Sequence, residues 1–305
     1  MHLPQRVMIR EVGPRDGLQA ESTFIETRDK IGLINGLIAC GIDQIEATSM
    51  VNPRAIPQLR DAEEVVRGIG RKPRLVISAL VGNARGVERA IRAGVDEVQM
   101  VISVSETHNQ RNMNMSIAES LTQLEKVMLT SSGTGLKVRA AAAVTFGCPF
   151  EGKIPVERLI NLVSEYRGLG IRQVTLADTA GLGNPRQVYE VVNELRDHFP
   201  CLDLALHFHD TRGLGLANVV AGMQAGIEII ESSIGGLGGC PFIPRATGNI
   251  ATEDLVFLCE SMGVETGVSL AGLFEVVKQF EEVLGKRMPG RLRQTLDDNG
   301  CTATQ

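Results

Sequence analysis

A (β/α)8 barrel is the fold predicted for this 305-residue chain, on three observations. First, one short phrase recurs, in which helix-like residues run into Gly, then an apolar residue, two mostly polar ones and another apolar one. It stands at Gly41-Ile42-Asp43-Gln44-Ile45, Gly94-Val95-Asp96-Glu97-Val98, Gly170-Ile171-Arg172-Gln173-Val174 and, less polar, Gly226-Ile227-Glu228-Ile229-Ile230. A Gly just past a helix supplies the left-handed cap and the β-branched residues after it start a strand, so each phrase is a helix-to-strand junction. Second, other β-rich runs lie between them, Val7 to Val12, Arg74 to Leu80, Lys137 to Thr145 and Asp203 to His209, so that eight strands begin near 7, 42, 75, 96, 137, 172, 203 and 227. Third, polar residues fall repeatedly where strands end and not at one crevice, which favours a barrel over the alternative, a doubly wound sheet.

The segments between strands read as amphipathic helices, as in Val87 to Ala93 and Val156 to Val163. The eighth helix is expected near Leu255 to Ser261, two further helical segments over roughly Leu270 to Leu284, and a mobile polar tail around Asp297-Asp298-Asn299-Gly300. No Pro- or Ser-rich linker divides the chain, so residues 1–305 are expected to form one catalytic domain, with the barrel over about 7–262 and the helices and tail over 263–305. A hydrophobic fraction of 43% with 22% charged residues is enough to bury a sizeable core.

A net charge of -5 offers no electrostatic footprint for nucleic acid. No apolar run reaches the ~20 residues of a membrane span, and the N-terminus lacks the layout of a signal peptide. The cysteines Cys40, Cys148, Cys201, Cys240, Cys259 and Cys301 show no CxxC spacing and read as cytoplasmic thiols, with Cys301 either idle or an intersubunit bridge. A homo-oligomer, a dimer or larger, is the expected assembly.

In a barrel the chemistry sits at the C-terminal ends of the strands. There the sequence places Arg10 to Gly17 after strand one, Glu46-Ala47-Thr48-Ser49 at strand two, Gly147-Cys148-Pro149 after strand five and Asp178-Thr179 at strand six. Strand seven ends in His207-Phe208-His209-Asp210, and strand eight runs into Gly235-Gly236-Leu237-Gly238-Gly239-Cys240-Pro241. Alternate residues of a strand share a face, so His207 and His209 point the same way. With the Asp16 carboxylate they make an oxygen and nitrogen set suited to a divalent metal, to which Asn249 adds a neutral oxygen. Each residue also has a plainer reading: Asp16 as a turn residue, Glu46 and Asp178 as helix caps or as ion-pair partners of Arg10 or Arg15. Cys240 is by type a small buried hydrophobe, yet its glycine-rich setting suits a thiol carried on a lid. The glycine-rich loop lacks the Gly-Lys-Ser/Thr of a phosphate cradle, and His108, in a polar loop after strand four, is expected to be exposed.

The motifs Glu11 to Gln19, Ile45 to Ser49, Gly147 to Gly152, His207 to Asp210, Gly236 to Pro241 and Gly248 to Asp254 resemble the 3-hydroxy-3-methylglutaryl-CoA lyase family of metal-dependent barrel lyases, over about residues 7 to 285. The resemblance implies retro-Claisen cleavage of an acyl-CoA substrate, 3-hydroxy-3-methylglutaryl-CoA, to acetyl-CoA and acetoacetate. It further implies Mg2+ or Mn2+ held by Asp16, His207, His209 and Asn249, with Arg15 facing the thioester carbonyl and Cys240 on a mobile loop. Glu46 and Asp178 would lie in the polar shell near the metal. On chemical grounds His207 is the expected base, directly or through water, and Cys240 the expected proton donor to the enolate carbon.

The chain departs from the family pattern at Ala20 and Ser22, around Ser49 to Pro53, along Ser105 to Asn112 and in the small residues Ala140 to Ala143. These leave the acyl group open between hydroxymethylglutaryl-CoA and a relative such as citramalyl-CoA or a longer 3-hydroxy-3-alkylglutaryl-CoA. A condensing acyltransferase fits less well, since the chain ends at 305 without a regulatory domain, and a non-catalytic binding role is open to any barrel.

Overall fold

The computed structural model describes residues 2–239 and 248–295. Eight parallel strands pair in sequence order and close on themselves. They are β1 (Met8–Glu11), β2 (Gln44–Ser49), β3 (Val76–Leu80), β4 (Glu97–Ser103), β5 (Lys137–Ala143), β6 (Gln173–Asp178), β7 (Asp203–Phe208) and β8 (Ile229–Ser232). Closure is made by β1 against β8, with Met8 opposite Ile229 and Glu11 opposite Ser232. The helices are α1 (Thr27–Ala39), α2 (Ala62–Gly68), α3 (Ala84–Ala93), α4 (Glu106–Met113), α5 (Ile117–Ser131), α6 (Val156–Gly168), α7 (Pro185–His198), α8 (Gly215–Gln224), α9 (Thr252–Ser261), α10 (Leu270–Leu284) and α11 (Arg291–Gln294).

The four junction glycines behave as their phrase requires. Gly41, Gly94, Gly170 and Gly226 take φ of 99°, 81°, 92° and 85°, the left-handed region that stops a helix at the lowest steric cost. The strands of these four phrases start one or two residues later than expected, because the amide of the first apolar residue after each Gly, Ile42, Val95, Ile171 and Ile227, still bonds back to the preceding helix. Two helical expectations change. The region from Leu270 to Leu284 is one continuous helix, with a four-residue α11 after it, and the loop after β4 contains α4. His108 on α4 is therefore buried, not exposed; its Nδ1 lies 2.7 Å from Ser103 Oγ and burial pushes its pKa down to about 4.

Strand alternation divides the interior into two chemistries. On β7, Leu204, Leu206 and Phe208 pack outward under the helices, while Ala205 and His207 point to the axis. The outward faces meet apolar stripes such as Leu33, Ile34, Leu37 and Ile38 of α1 and Leu159, Leu162, Val163 and Tyr166 of α6. The axis is ionic. Arg10, Glu46, Glu97, Arg139 and Glu231 stand where branched aliphatics usually fill such a barrel, and all five are buried. Isolated buried charges are expensive, so these are paired throughout: Arg10 Nη1 donates to Glu231 Oε1 at 3.1 Å, and Arg139 donates to Glu97, Glu231 and Glu46 at 2.7, 2.9 and 2.8 Å.

Candidate active site at the C-terminal mouth

The turn after β1 presents Arg15 and Asp16. Residues Gly13–Gly17 wind a single π turn, with the Asp16 amide donating to Val12 O at 2.7 Å. Glu11 anchors this turn from below: its Oε1 accepts the Gly13 and Ile234 amides at 2.7 and 2.9 Å, and its Oε2 the Thr252 hydroxyl at 2.6 Å. A Cβ at Gly13 would lie 2.6 Å from Glu11 Oε1, so any larger residue there would have to displace the anchoring carboxylate. Arg15 Nε donates to Glu46 Oε1 and Arg15 Nη1 to Asp16 Oδ1, so one guanidinium ties the turn to β2. Glu46 is thus an ion-pair partner of Arg15, one of the two partners expected for it.

β7 delivers the imidazoles. His207 and His209 lie with ring centroids 5.2 Å apart, and His209 forms an isolated bridge with Asn249 that holds the returning chain against the mouth. Asp16, His207 and His209 each offer one ligand atom, all within 4.8 Å of one another. His209 Nε2 is 3.8 Å from Asp16 Oδ2, and the Asn249 amide nitrogen donates to the same carboxylate oxygen at 2.8 Å and to Leu237 O at 3.0 Å. Among the described residues, Asn249 Oδ1 and His209 Nδ1 are buried without a hydrogen-bond partner. Buried polar atoms are normally satisfied, and two such orphans on the residues that flank Asp16, with a carboxylate and two imidazoles converging within 4.8 Å, fit a bound cation.

Electrostatics set the protonation states. Burial pushes the Asp16 carboxyl up, but Arg15 and the two histidines outweigh it and hold the pKa near the bottom of the carboxylate range, about 2. Burial, with His207 beside it, depresses His209 to about 4, so its imidazole is neutral and able to donate a lone pair. His207 is raised: burial opposes its charge, yet Glu231, whose Oε2 lies 3.2 Å from His207 Nδ1, more than compensates. A histidine whose Nδ1 is oriented by a carboxylate presents Nε2 to the mouth, an arrangement widely used behind metal ligands.

Asp178 is placed as the cap of the β6 to α7 loop, its two oxygens accepting the Leu182 and Gly183 amides at 2.9 Å each. It is buried, and burial raises its pKa. Cys148 is buried with Sγ 3.0 Å from Ser105 Oγ. Cys240, the tail from Asp297 to Gly300 and Cys301 lie outside the described residues. Glu231, Arg139, Glu97 and Glu11 were not singled out as site residues; the available signal was charges set among the apolar residues of β1, β4, β5 and β8.

A closed (β/α)8 barrel with a carboxylate, two imidazoles and a fixed arginine gathered at its C-terminal mouth has the layout of a barrel enzyme with a candidate divalent-cation site. The HMGL-like family model matches residues 6–279, and the chain belongs to that family. It is 46% identical over 291 residues, 95% of this chain and 97% of the relative, to hydroxymethylglutaryl-CoA lyase YngG of Bacillus subtilis. The crystal structure of the B. subtilis HMG-CoA lyase superposes with a TM-score of 0.93, covering 96% of this chain and 99% of that one at 46% identity. An HMG-CoA lyase from Acinetobacter baumannii, solved with coenzyme A and 3-methylmalate, superposes with a TM-score of 0.92 at 41% identity, covering 99% of this chain and 98% of that one.

Proposed function

We propose that this chain is a carbon–carbon lyase that cleaves 3-hydroxy-3-methylglutaryl-CoA to acetyl-CoA and acetoacetate, with Mg2+ or Mn2+ held by Asp16, His207, His209 and Asn249. The observation that carries the proposal is the convergence of Asp16, His207 and His209 beside Arg15, in a chain similar from end to end to HMG-CoA lyases. When bound, the cation supplies Lewis acidity and a template for the substrate hydroxyl and carboxylate. Everything else falls to the protein's own groups.

Breaking C2–C3 requires the C3 hydroxyl to lose its proton, after which the C–O bond becomes the ketone of acetoacetate and the C2–C3 electron pair passes to the thioester as an enolate. Arg15 is the fixed cation for the enolate oxygen; Glu46 and Asp16 hold its guanidinium so that no reorganisation is needed when charge develops. With Nδ1 engaged by Glu231, His207 has only Nε2 to offer, so the ligand and base roles expected of it compete for one lone pair. We assign it the ligand role and offer Asp178, buried at the end of β6 where the strand meets the mouth, as the group that takes up the hydroxyl proton. Cys240 is assigned the return of a proton to C2.

The barrel and its C-terminal helices act in this reading as one catalytic unit. Four free cysteines, Cys40, Cys148, Cys201 and Cys259, support a reducing, cytoplasmic setting, and homo-oligomerisation is part of the same reading. No helix among the described residues is long and apolar enough to cross a membrane. The test is metal-dependent release of acetyl-CoA from hydroxymethylglutaryl-CoA, citramalyl-CoA and a longer 3-alkyl analogue. Fastest turnover of the first, lost on chelation, is expected; cleavage of none of the three overturns the proposal.

A further inference from the structure

Arg139 sits in the middle of β5 with 1% of its side chain exposed, and all three of its nitrogens are engaged by carboxylates. Nε donates to Glu97 Oε1 at 2.7 Å, Nη1 to Glu231 Oε1 at 2.9 Å and Nη2 to Glu46 Oε2 at 2.8 Å. Two of these acceptors continue into the mouth through their second oxygen: Glu231 Oε2 meets His207 Nδ1, and Glu46 Oε1 accepts from Arg15 Nε. Arg139 thus lies behind both halves of the site while touching neither.

We propose that Arg139 is a positioning residue that sets His207 and Arg15 relative to one another by fixing the carboxylate behind each. A carboxylate with one oxygen pinned presents the other in one direction, and the planar guanidinium fork is rigid enough to pin two at once. The surroundings isolate this role. Glu231 Oε1 also accepts from Arg10 at 3.1 Å and from the Thr175 hydroxyl at 3.0 Å, which leaves Oε2 as the oxygen for His207. Both hydrogen bonds found for the Glu46 carboxylate come from arginines, Arg15 on one oxygen and Arg139 on the other. A lysine would keep the charge at residue 139 but offers one compact ammonium where three separated acceptors wait.

The proposal rests on the metal-dependent lyase reading above, and its test is built to fail separately from it. In the full-length protein, Arg139→Lys and the charge-balanced pair Arg139→Met with Glu97→Gln are compared with wild type. Mn2+ is titrated by electron paramagnetic resonance without substrate, and imidazole nitrogen couplings to bound Mn2+ are recorded. Folded variants, with an unchanged circular dichroism spectrum and a cooperative melt, are expected to bind Mn2+ about 10- to 100-fold more weakly, the loss usual when support behind a metal ligand is removed. One of the two imidazole couplings is expected to change, and kcat to fall by at least that factor with KM for the thioester within about threefold. A folded variant with Mn2+ affinity, nitrogen couplings and kcat all within threefold of wild type overturns the proposal. If wild type binds Mn2+ but cleaves no thioester, the lyase reading fails, and the Mn2+ affinities and couplings still decide the role of Arg139.

Discussion

His207 Nδ1 lies 3.2 Å from Glu231 Oε2, and the other oxygen of Glu231 is held by Arg10, Arg139 and the Thr175 hydroxyl. Glu231 is therefore kept ionised well below the usual carboxylate range: burial opposes its charge, and Arg139, His207 and Arg10 outweigh the opposition. An ionised carboxylate at Nδ1 fixes the tautomer that turns the Nε2 lone pair to the mouth. Glu231→Gln keeps the shape and removes the charge. It is expected to weaken Mn2+ binding by about 10- to 100-fold, measured by calorimetric titration. Unchanged affinity would show that His207 does not ligate through Nε2.

Arg15 gives the clearest separation of binding from chemistry. Its guanidinium is held by Glu46 and Asp16, and a donor fixed where an oxyanion develops stabilises the transition state more than the ground state. Arg15→Lys preserves a cation but loses the fork that spans Glu46 and Asp16. The expected result is a fall in kcat of roughly 100- to 1,000-fold with KM little changed, read from steady-state acetyl-CoA release. A change confined to KM would place Arg15 in ground-state binding only.

Metal loading should be visible as stability. Anything that binds the folded state alone stabilises it by RT ln(1 + [L]/Kd), about 2.7 kcal/mol at 100 times Kd. Thermal denaturation of wild type is expected to move to higher temperature with Mn2+ or Mg2+ and to return on chelation. Asp16→Asn removes the one carboxylate of the cluster, so its melting temperature should not respond to either ion. A response equal to that of wild type would place the cation elsewhere.

The barrel was readable because its punctuation is local. A glycine at the end of a helix followed by a β-branched residue is decided within five residues, and Gly41, Gly94, Gly170 and Gly226 all took the expected left-handed conformation. Asp16, His207 and His209 were readable for a related reason, since each lies at or shortly past the C-terminal end of a strand and every such end faces one mouth. The ionic axis was not readable. Arg139 and Glu231 are 92 residues apart, and which charge meets which depends on the stagger of eight strands, a global property. His108 failed in the same way, because the polar stretch around it gives no local sign that α4 folds back over Ser103. A single charge inside an apolar strand flanked by small residues, as in Arg139 before Ala140 to Ala143, is the sequence signature of such an axis.

The last prediction concerns Glu253, which begins α9 beneath the glycine-rich loop. Its Oε2 accepts the Gly235 amide at 2.9 Å, and burial lifts its pKa from the ordinary 4.5 to about 8. Glu11, buried nearby, is lifted by the same cause to about 7. For an acid raised on folding, the native state binds more protons than the unfolded chain between the two pKa values, so stability falls as pH rises through that window. Each such proton contributes a slope of about 1.4 kcal/mol per pH unit. His108 and His209, each depressed by burial to about 4, offset this loss below about pH 6.5, so wild type is expected to lose stability chiefly between about pH 6.5 and pH 8, measured by urea denaturation at fixed temperature. Glu253→Gln holds the neutral shape at every pH, so its stability should fall less steeply, by about one proton, and exceed that of wild type at pH 8. Parallel profiles for the two proteins would mean that Glu253 is ionised in the native state across the whole range, its carboxylate stabilised by the Gly235 amide.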